Sequence, residues 1–103
     1  MAPHHNTARQ LTHELLDKLS HEEMVAVGLV LNELLAAKRA WPEWPKDLVY
    51  GAAVVAEEAG ELVQATLNAH FKGTRRDLAK KEAEQTAVTA IRFISNFPVE
   101  LPL

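Results

Sequence analysis

Three glutamates, Glu57, Glu58 and Glu61, lie inside the apolar segment AAVVAEEAGELVQA, residues 52–65. At helical spacing, Glu58 falls between apolar residues of the turns before and after it, so its carboxylate faces the packed side of the helix. Glu57 falls on the polar side. An unpaired carboxylate is costly to bury, and a divalent cation is the compensation that we expect for Glu58 and Glu61, which share one face at i, i+3 spacing.

A second acidic position, Glu82, recurs in a later helix that is also rich in apolar residues, with Gln85 at i+3. Carboxylates contributed by two helices of a bundle are a known way to build a metal site. If the two helices pack antiparallel, Glu58, Glu61 and Glu82 converge, and their oxygen atoms suit Mg²⁺ or Mn²⁺. The alternative is that these acids face solvent and are balanced by lysine and arginine, as acidic pairs in helices usually are.

Two tryptophans, Trp41 and Trp44, stand in a proline-rich segment just before the acidic helix. Their rings can stack on a nucleobase, or they can cover the end of the helical bundle, and the sequence leaves both interpretations open. Lys46, at the start of the next helix, is a candidate phosphate contact, although a lysine in that position is more often solvated. Among the basic residues of the last helix, Arg92 lies closest to Gln85 on the helical wheel and is the best candidate for binding a polyphosphate.

The composition is that of a small chain without a strong charge bias. Its 103 residues correspond to one domain at most, and the formal net charge of -3 argues against a nucleic-acid partner. Without cysteine, disulfides and thiolate metal sites are excluded. No run approaches the roughly 18 apolar residues of a membrane span, and the N-terminus lacks the apolar core of a signal peptide, so we expect a cytoplasmic protein with no membrane partner.

The spacing of apolar residues predicts four helices and no strands, that is, an all-α fold built as an antiparallel helical bundle. Ser20 begins a capping box, which predicts the start of the second helix, and Gly73 is the expected end of the third. Thr74 is the expected cap of the fourth. The predicted helices cover about residues 7–18, 20–39, 45 or 46 to 71, and 74–97.

The whole chain, residues 1–103, is expected to form a single helical domain. Its core covers about residues 20–96, with an N-terminal helix and a C-terminal tail appended. The third helix is apolar around most of its circumference, which is typical of a helix at the centre of an assembly. Because so short a chain cannot cover that helix on all sides, we expect oligomerisation to complete the bundle, as a homodimer or a homotetramer.

The acidic motifs resemble those of a known superfamily. The stretch EEAGEL at residues 57–62 and the stretch EAEQ at residues 82–85 are similar to the E-x-x-E and E-x-x-D motifs of the MazG-like all-α nucleoside triphosphate pyrophosphohydrolases. This superfamily also includes dimeric dUTPases and phosphoribosyl-ATP pyrophosphohydrolases. The resemblance covers roughly residues 25–95, including the tryptophan-containing linker before the acidic helix.

Residue by residue, Glu58 and Glu61 match the first motif and Glu82 matches the glutamate of the second. Gln85 stands where the superfamily usually has aspartate. The resemblance implies that these four residues hold Mg²⁺, or Mn²⁺ in its place. An amide is neutral and binds a hard cation less well than a carboxylate, so Gln85 puts the number of bound ions and the rate of turnover in doubt.

The implied reaction is the hydrolysis of a (d)NTP to a (d)NMP and pyrophosphate, in a house-cleaning or pool-control role. Mg²⁺ would neutralise phosphate oxygens and polarise the phosphorus, and a further carboxylate could orient the attacking water. Two alternatives stay open: a nucleotide-binding helical regulatory or oligomerisation module with little turnover, which Gln85 favours, and a phosphoribosyl-ATP pyrophosphohydrolase, which the paired tryptophans fit less naturally. The expected catalytic residues are Glu57, Glu58, Glu61 and Glu82, and the expected substrate-binding residues are Trp41, Trp44, Lys46 and Arg92.

Overall fold

The computed structural model describes residues 3–98 and contains, within that range, four α-helices and no β-strand. The all-α fold class predicted from the sequence is therefore confirmed. The predicted C-terminal tail falls almost entirely on residues 99–103, outside the described residues. The helices are α1 (Pro3–Leu16), α2 (His21–Ala40), α3 (Leu48–Lys72) and α4 (Arg76–Ser95).

Two of the predicted helix boundaries are confirmed by their capping geometry. Ser20 Oγ accepts a hydrogen bond from the Glu23 amide, and the Ser20 amide donates to Glu23 Oε1, which completes the capping box of α2. Gly73 ends α3 with a φ of 68°, in the left-handed region that glycine adopts without steric cost. The short connection that follows Gly73 returns the chain at once, so that α4 lies alongside α3.

Other boundaries differ from the prediction: α1 covers Pro3–Leu16 instead of about residues 7–18, and both α3 and α4 begin later than expected. α3 begins after Asp47, whose Oδ1 accepts hydrogen bonds from the amides of Val49 and Tyr50, so a cap that the sequence analysis overlooked sets its start. α4 begins after Arg75, which makes no side-chain capping bond. Thr74 is therefore not the cap of α4, and the local signal at this end is Asp77 in the first turn, whose negative charge is favourable near a helix N-terminus.

α4 occupies the middle of the fold, because it packs against α3 on one side and against α2 on another. α3 and α4 are antiparallel: Gly51 lies opposite Phe93 near one end, and Glu61 lies close to Glu82 further along. Val88, in the middle of α4, is only 1% exposed. In the described part of the chain, α1 packs extensively against none of the other helices.

Large apolar side chains remain exposed on the outer faces of the helices. Val49 is 79% exposed and Phe71 is 74% exposed, although their helix, α3, was expected at the centre. The radius of gyration is 16.1 Å, larger than the value of about 13 Å for a compact domain of about 100 residues. The single chain thus covers α3 mainly on the side that faces α4. None of the helices in the described residues has the length and apolarity that crossing a membrane requires.

Candidate metal and nucleotide site

Three carboxylates meet where the middle of α3 faces α4. Oxygen atoms of Glu58, Glu61 and Glu82 all lie within 4.8 Å of one another. Glu58 and Glu82 are half-buried, and Glu61 is exposed. The helix register produces this arrangement, since residues three apart on α3 share the face that lies against α4. The structure thus brings together the three acids that the sequence analysis expected to converge, and we call them the acidic cluster.

The pKa of Glu58 is raised above its ordinary value. Burial is the main cause, followed by the charges of Glu61 and Glu82, a hydrogen bond with Glu82, and the charge of Glu57. None of the ion pairs in the described residues includes a member of the acidic cluster. Negative charge is therefore concentrated here without a basic side chain to offset it, and a proton or a cation is needed to relieve the repulsion.

Gln85 lies on α4 one turn beyond the acidic cluster, and its amide is bound by a residue that the sequence analysis missed. Gln85 Nε2 donates a hydrogen bond of 3.1 Å to Glu33 Oε2 on α2. The other carboxylate oxygen of Glu33 accepts a hydrogen bond from Lys81 in an ion pair, and this contact is the main cause of a lowered pKa of Glu33. The sequence does contain a signal that Glu33 faces the packed side of its helix. Glu33 falls between apolar residues of neighbouring turns on α2, as Glu58 does on α3.

A cleft of about 260 Å³ opens beside the acidic cluster. Its walls include a carboxylate from α3, an amide from α4, and indole rings from the linker between α2 and α3. The cleft is therefore lined by both polar and aromatic side chains, as small-molecule pockets in proteins commonly are. The residues expected from the sequence that line the cleft are Trp41, Trp44, Glu58, Gln85 and Arg92.

Arg92 is only 8% exposed, and its contacts serve the linker. Its Nη2 donates hydrogen bonds to the backbone oxygen of Trp41 at 2.6 Å and to that of Glu43 at 3.4 Å. The guanidinium also lies over the Trp44 ring, 5.3 Å from its centroid, where the cation is attracted to the face of the indole. Arg92 therefore fastens the linker to α4, and its position in the cleft wall is a consequence of that role.

The two tryptophans of the linker occupy different environments. Trp44 is half-buried and packs against Gly51, where an added methyl group would lie only 3.2 Å from Trp44 Nε1. Trp41 is 74% exposed, although it lines the same cleft. Trp44 thus covers the end of the helix pair, whereas the ring of Trp41 is available to a ligand.

Glu57 and Lys46 lie outside this cleft. Glu57 is exposed and lines a separate, open groove beside Asp47 and Tyr50. Lys46 is exposed and directly precedes the Asp47 cap of α3. Three basic residues at the start of α4 are engaged with acids: Arg75 with Asp77, Lys80 with Glu84, and Lys81 with Glu33. Arg76, the first residue of α4, is exposed and belongs to none of these pairs.

No family model, curated protein or solved structure matches this chain at a significant level. The resemblance to the MazG-like pyrophosphohydrolases therefore remains an expectation from the residues of the two acidic motifs alone. Support for a function has to come from the geometry of the acidic cluster and of the cleft beside it.

Proposed function

We propose that this chain is a MazG-like, Mg²⁺-dependent nucleoside triphosphate pyrophosphohydrolase that converts a (d)NTP to a (d)NMP and pyrophosphate. The observation that supports it best is the convergence of Glu58, Glu61 and Glu82, without a basic partner, beside a cleft lined by two tryptophans. A house-cleaning or pool-control role in the cytoplasm follows from this proposal, because free nucleotides are the substrates.

The donor set fits a hard divalent cation. Mg²⁺ binds oxygen ligands at about 2.1 Å in octahedral geometry, so adjacent ligands lie about 3.0 Å apart and opposite ligands about 4.2 Å apart. The oxygens of the acidic cluster lie within 4.8 Å of one another, so side-chain rotation would have to bring them closer together around a shared ion. The raised pKa of Glu58 supports the same assignment, because a cation would relieve the repulsion that contributes to it. Mn²⁺, which also prefers oxygen ligands, is the alternative ion.

In the proposed reaction, water attacks the α-phosphorus, and the bond from that phosphorus to the oxygen bridging the α and β phosphates breaks. The oxygen of the water stays on the monophosphate, and pyrophosphate leaves with the bridging oxygen. Mg²⁺, when bound, supplies neutralising charge at the phosphate oxygens. Glu57 is our candidate for orienting the water and accepting its proton, since it is exposed and close enough for its charge to raise the pKa of Glu58.

The parts proposed for substrate binding follow from their exposure. Trp41 presents a free indole ring to the cleft, and we assign it to the base. Trp44 and Arg92 hold the linker so that Trp41 stays at the cleft. Lys46, which is exposed just before the cap of α3, is our candidate in the linker for a contact with the polyphosphate.

We also propose that the protein acts as a homodimer or a homotetramer in which a second copy covers α3. Val49, Val63 and Phe71 are large apolar residues exposed on that helix, and burying apolar surface contributes about 25 cal/mol per Å². Light scattering at micromolar concentration should give two or four times the chain mass of 11.4 kDa. A stable monomer would exclude this assembly.

The reaction is tested by identifying its products. A panel of (d)NTPs and phosphoribosyl-ATP is incubated with Mg²⁺, and the products are separated by anion exchange. We expect a monophosphate and pyrophosphate in equal amounts, and ¹⁸O from labelled water in the monophosphate. A diphosphate with inorganic phosphate would indicate a different reaction, and no product from any member of the panel would contradict the proposal. Glu84→Gln is the matched control for the acidic cluster, because Glu84 also lies on α4 but is paired with Lys80.

One observation favours a second candidate, a helical module that binds nucleotide with little turnover. Gln85 carries a neutral amide where the superfamily has a carboxylate, and this amide is already bonded to Glu33. Fewer negative charges at the site weaken the hold on a hard cation. Calorimetry that shows nucleotide binding by a protein without measurable pyrophosphate release would support this second function.

A further inference from the structure

Glu33 connects α2 to the part of α4 that borders the acidic cluster. Both of its carboxylate oxygens are engaged, one with Lys81 and the other with the amide nitrogen of Gln85. Lys81 and Gln85 are four residues apart and therefore share one face of α4. Gln85 in turn lines the cleft together with Glu58. Through Gln85, Glu33 contacts the wall of the site without belonging to the acidic cluster itself.

The contact with Glu33 determines which end of the Gln85 amide faces the cleft. A carboxylate paired with a lysine accepts hydrogen bonds and donates none, and each oxygen of Glu33 accepts one here, from Lys81 and from Gln85. The NH₂ group of Gln85 therefore points towards Glu33 on α2, and the amide oxygen, which cannot bond to that carboxylate, is left for another partner. This orientation follows from the chemistry of the two groups and does not depend on telling nitrogen from oxygen by position alone.

We propose that Glu33 is a positioning residue that holds the Gln85 amide oxygen towards the cation site of the acidic cluster. This inference rests on the proposed function. Without Glu33, the amide could turn either way, and a turned amide would present its NH₂ group to the cation. Partners that orient the ligands of a metal in this way typically contribute 10- to 100-fold to its affinity.

Lys81 offsets the negative charge in this arrangement. It neutralises Glu33, so the amide is oriented by a carboxylate whose charge is offset locally. An aspartate at position 85 would instead place a second carboxylate against Glu33, and the two like charges would repel each other. The glutamine at position 85 is therefore matched to Glu33.

A double-mutant cycle tests the inference through metal affinity, independently of turnover. Mn²⁺ is titrated calorimetrically into the wild type, Glu33→Gln, Gln85→Ala and the double variant. A glutamine at position 33 can donate or accept, so it no longer dictates the orientation of the Gln85 amide. We expect Glu33→Gln to raise the dissociation constant of Mn²⁺ about tenfold in the wild-type background and to have little effect in the Gln85→Ala background. Glu84→Gln, which removes the same charge from a lysine-paired acid on α4, should leave the affinity unchanged.

A second measurement uses the wild-type protein and does not depend on any variant folding. The side-chain carbonyl resonance of Gln85 should shift when Mg²⁺ is added, because the oxygen faces the ion. Equal effects of Glu33→Gln in both backgrounds, or a carbonyl resonance that ignores Mg²⁺, would overturn the positioning role while leaving the metal site in place. A wild type that binds no Mn²⁺ would overturn the metal site and this inference together.

Discussion

Acidic residues lie on two sides of α4, where it faces α2 and where it faces α3, and their charge is balanced in different ways on the two sides. On the side of α2, Glu33 is paired with Lys81, and its pKa is lowered. On the side of α3, Glu58 is half-buried next to the carboxylates of Glu61 and Glu82, and its pKa is raised. Both Glu33 and Glu58 lie between apolar residues of neighbouring turns, so the same local pattern leads to opposite pKa shifts.

The contrast separates a carboxylate that serves the fold from one that is a candidate ligand. Glu33 is satisfied by Lys81 and Gln85, and it joins two helices without any further partner. Glu58 and its neighbours stay unbalanced until a proton or a cation arrives. Unbalanced titratable groups beside a cleft are candidates for function, whereas paired ones usually have a structural role. Four predictions test this distinction, beginning with the largest effect.

Removing a charge from the acidic cluster should have the largest effect on activity. Glu58→Gln, Glu61→Gln and Glu82→Gln should each lower pyrophosphate release about 100-fold or more, since metal-ion catalysis supplies several kcal/mol of transition-state stabilisation. Initial rates at saturating Mg²⁺ measure this loss, and circular dichroism checks that helix content is unchanged. Glu84→Gln, on the same helix but paired with Lys80, should keep nearly full activity. Wild-type rates in all three cluster variants would remove the distinction between the two sides.

The two linker tryptophans should differ in the property that their loss affects, which is ligand binding for one and stability for the other. Trp41→Ala should weaken nucleotide binding by about 1–3 kcal/mol, because its exposed ring is free to stack on a base. Trp44→Ala should mainly lower the melting temperature, because its ring packs against Gly51 and Arg92. Calorimetry with a slowly hydrolysed nucleotide and thermal denaturation measure the two effects. The assignment of Trp41 to the base is wrong if its loss leaves affinity unchanged.

Adding a carboxylate at position 85 should have a smaller effect, which is seen in metal affinity. Gln85→Asp adds a negative charge near the cation, but it also places that charge against Glu33. The gain in Mn²⁺ affinity should therefore be small in the single variant and reach about tenfold in the double variant Glu33→Gln/Gln85→Asp, where the repulsion is absent. Calorimetric titration with Mn²⁺ compares the two. An equal affinity in both variants would mean that Glu33 and position 85 do not interact.

The smallest effect is a difference in how pH changes the stability of the metal-free protein. Because the pKa of Glu58 is raised on folding, its favourable contribution is full below the ordinary carboxyl pKa and is lost as pH rises through the raised value. Because the pKa of Glu33 is lowered, its contribution is present above the ordinary pKa and is lost as pH falls through the lowered value.

In EDTA at pH 7, Glu58→Gln should therefore raise the melting temperature, and this advantage should disappear near pH 4. Glu33→Gln should lower the melting temperature at pH 7 and have less effect at low pH. Thermal denaturation followed by circular dichroism gives both values. If pH changes the melting temperatures of both variants, relative to the wild type, in the same direction, then the charges on the two sides of α4 are balanced in the same way.

The features that the sequence predicted correctly depend on residues close together in the chain. The capping box of Ser20 and Glu23 is complete within four residues, and the left-handed Gly73 needs no distant contact. The inward position of Glu58 follows from helical spacing alone. Four helices could be predicted for the same reason, whereas the convergence of the two acidic motifs depended on the assumption that α3 and α4 pack antiparallel.

The features that were missed depend on contacts between distant residues. Glu33 and Gln85 are 52 positions apart, and their pairing requires the register of α2 against α4. Arg92 was expected at a phosphate, but its backbone acceptors lie 49 and 51 positions away in the linker. Helical spacing shows which face a residue occupies, but it does not show which element lies opposite that face.

The bonds that Arg92 makes to the linker have a consequence for how substrate preference could diverge. Its acceptors at Trp41 and Glu43 are main-chain oxygens, which every amino acid carries. The linker can therefore exchange side chains at these positions while its attachment to α4 is retained. New ring sizes or polar groups can be tried at position 41, beside the acidic cluster, without rebuilding the scaffold. Under the proposed function, single substitutions at position 41 would change the contact with the base while the linker stays attached to α4.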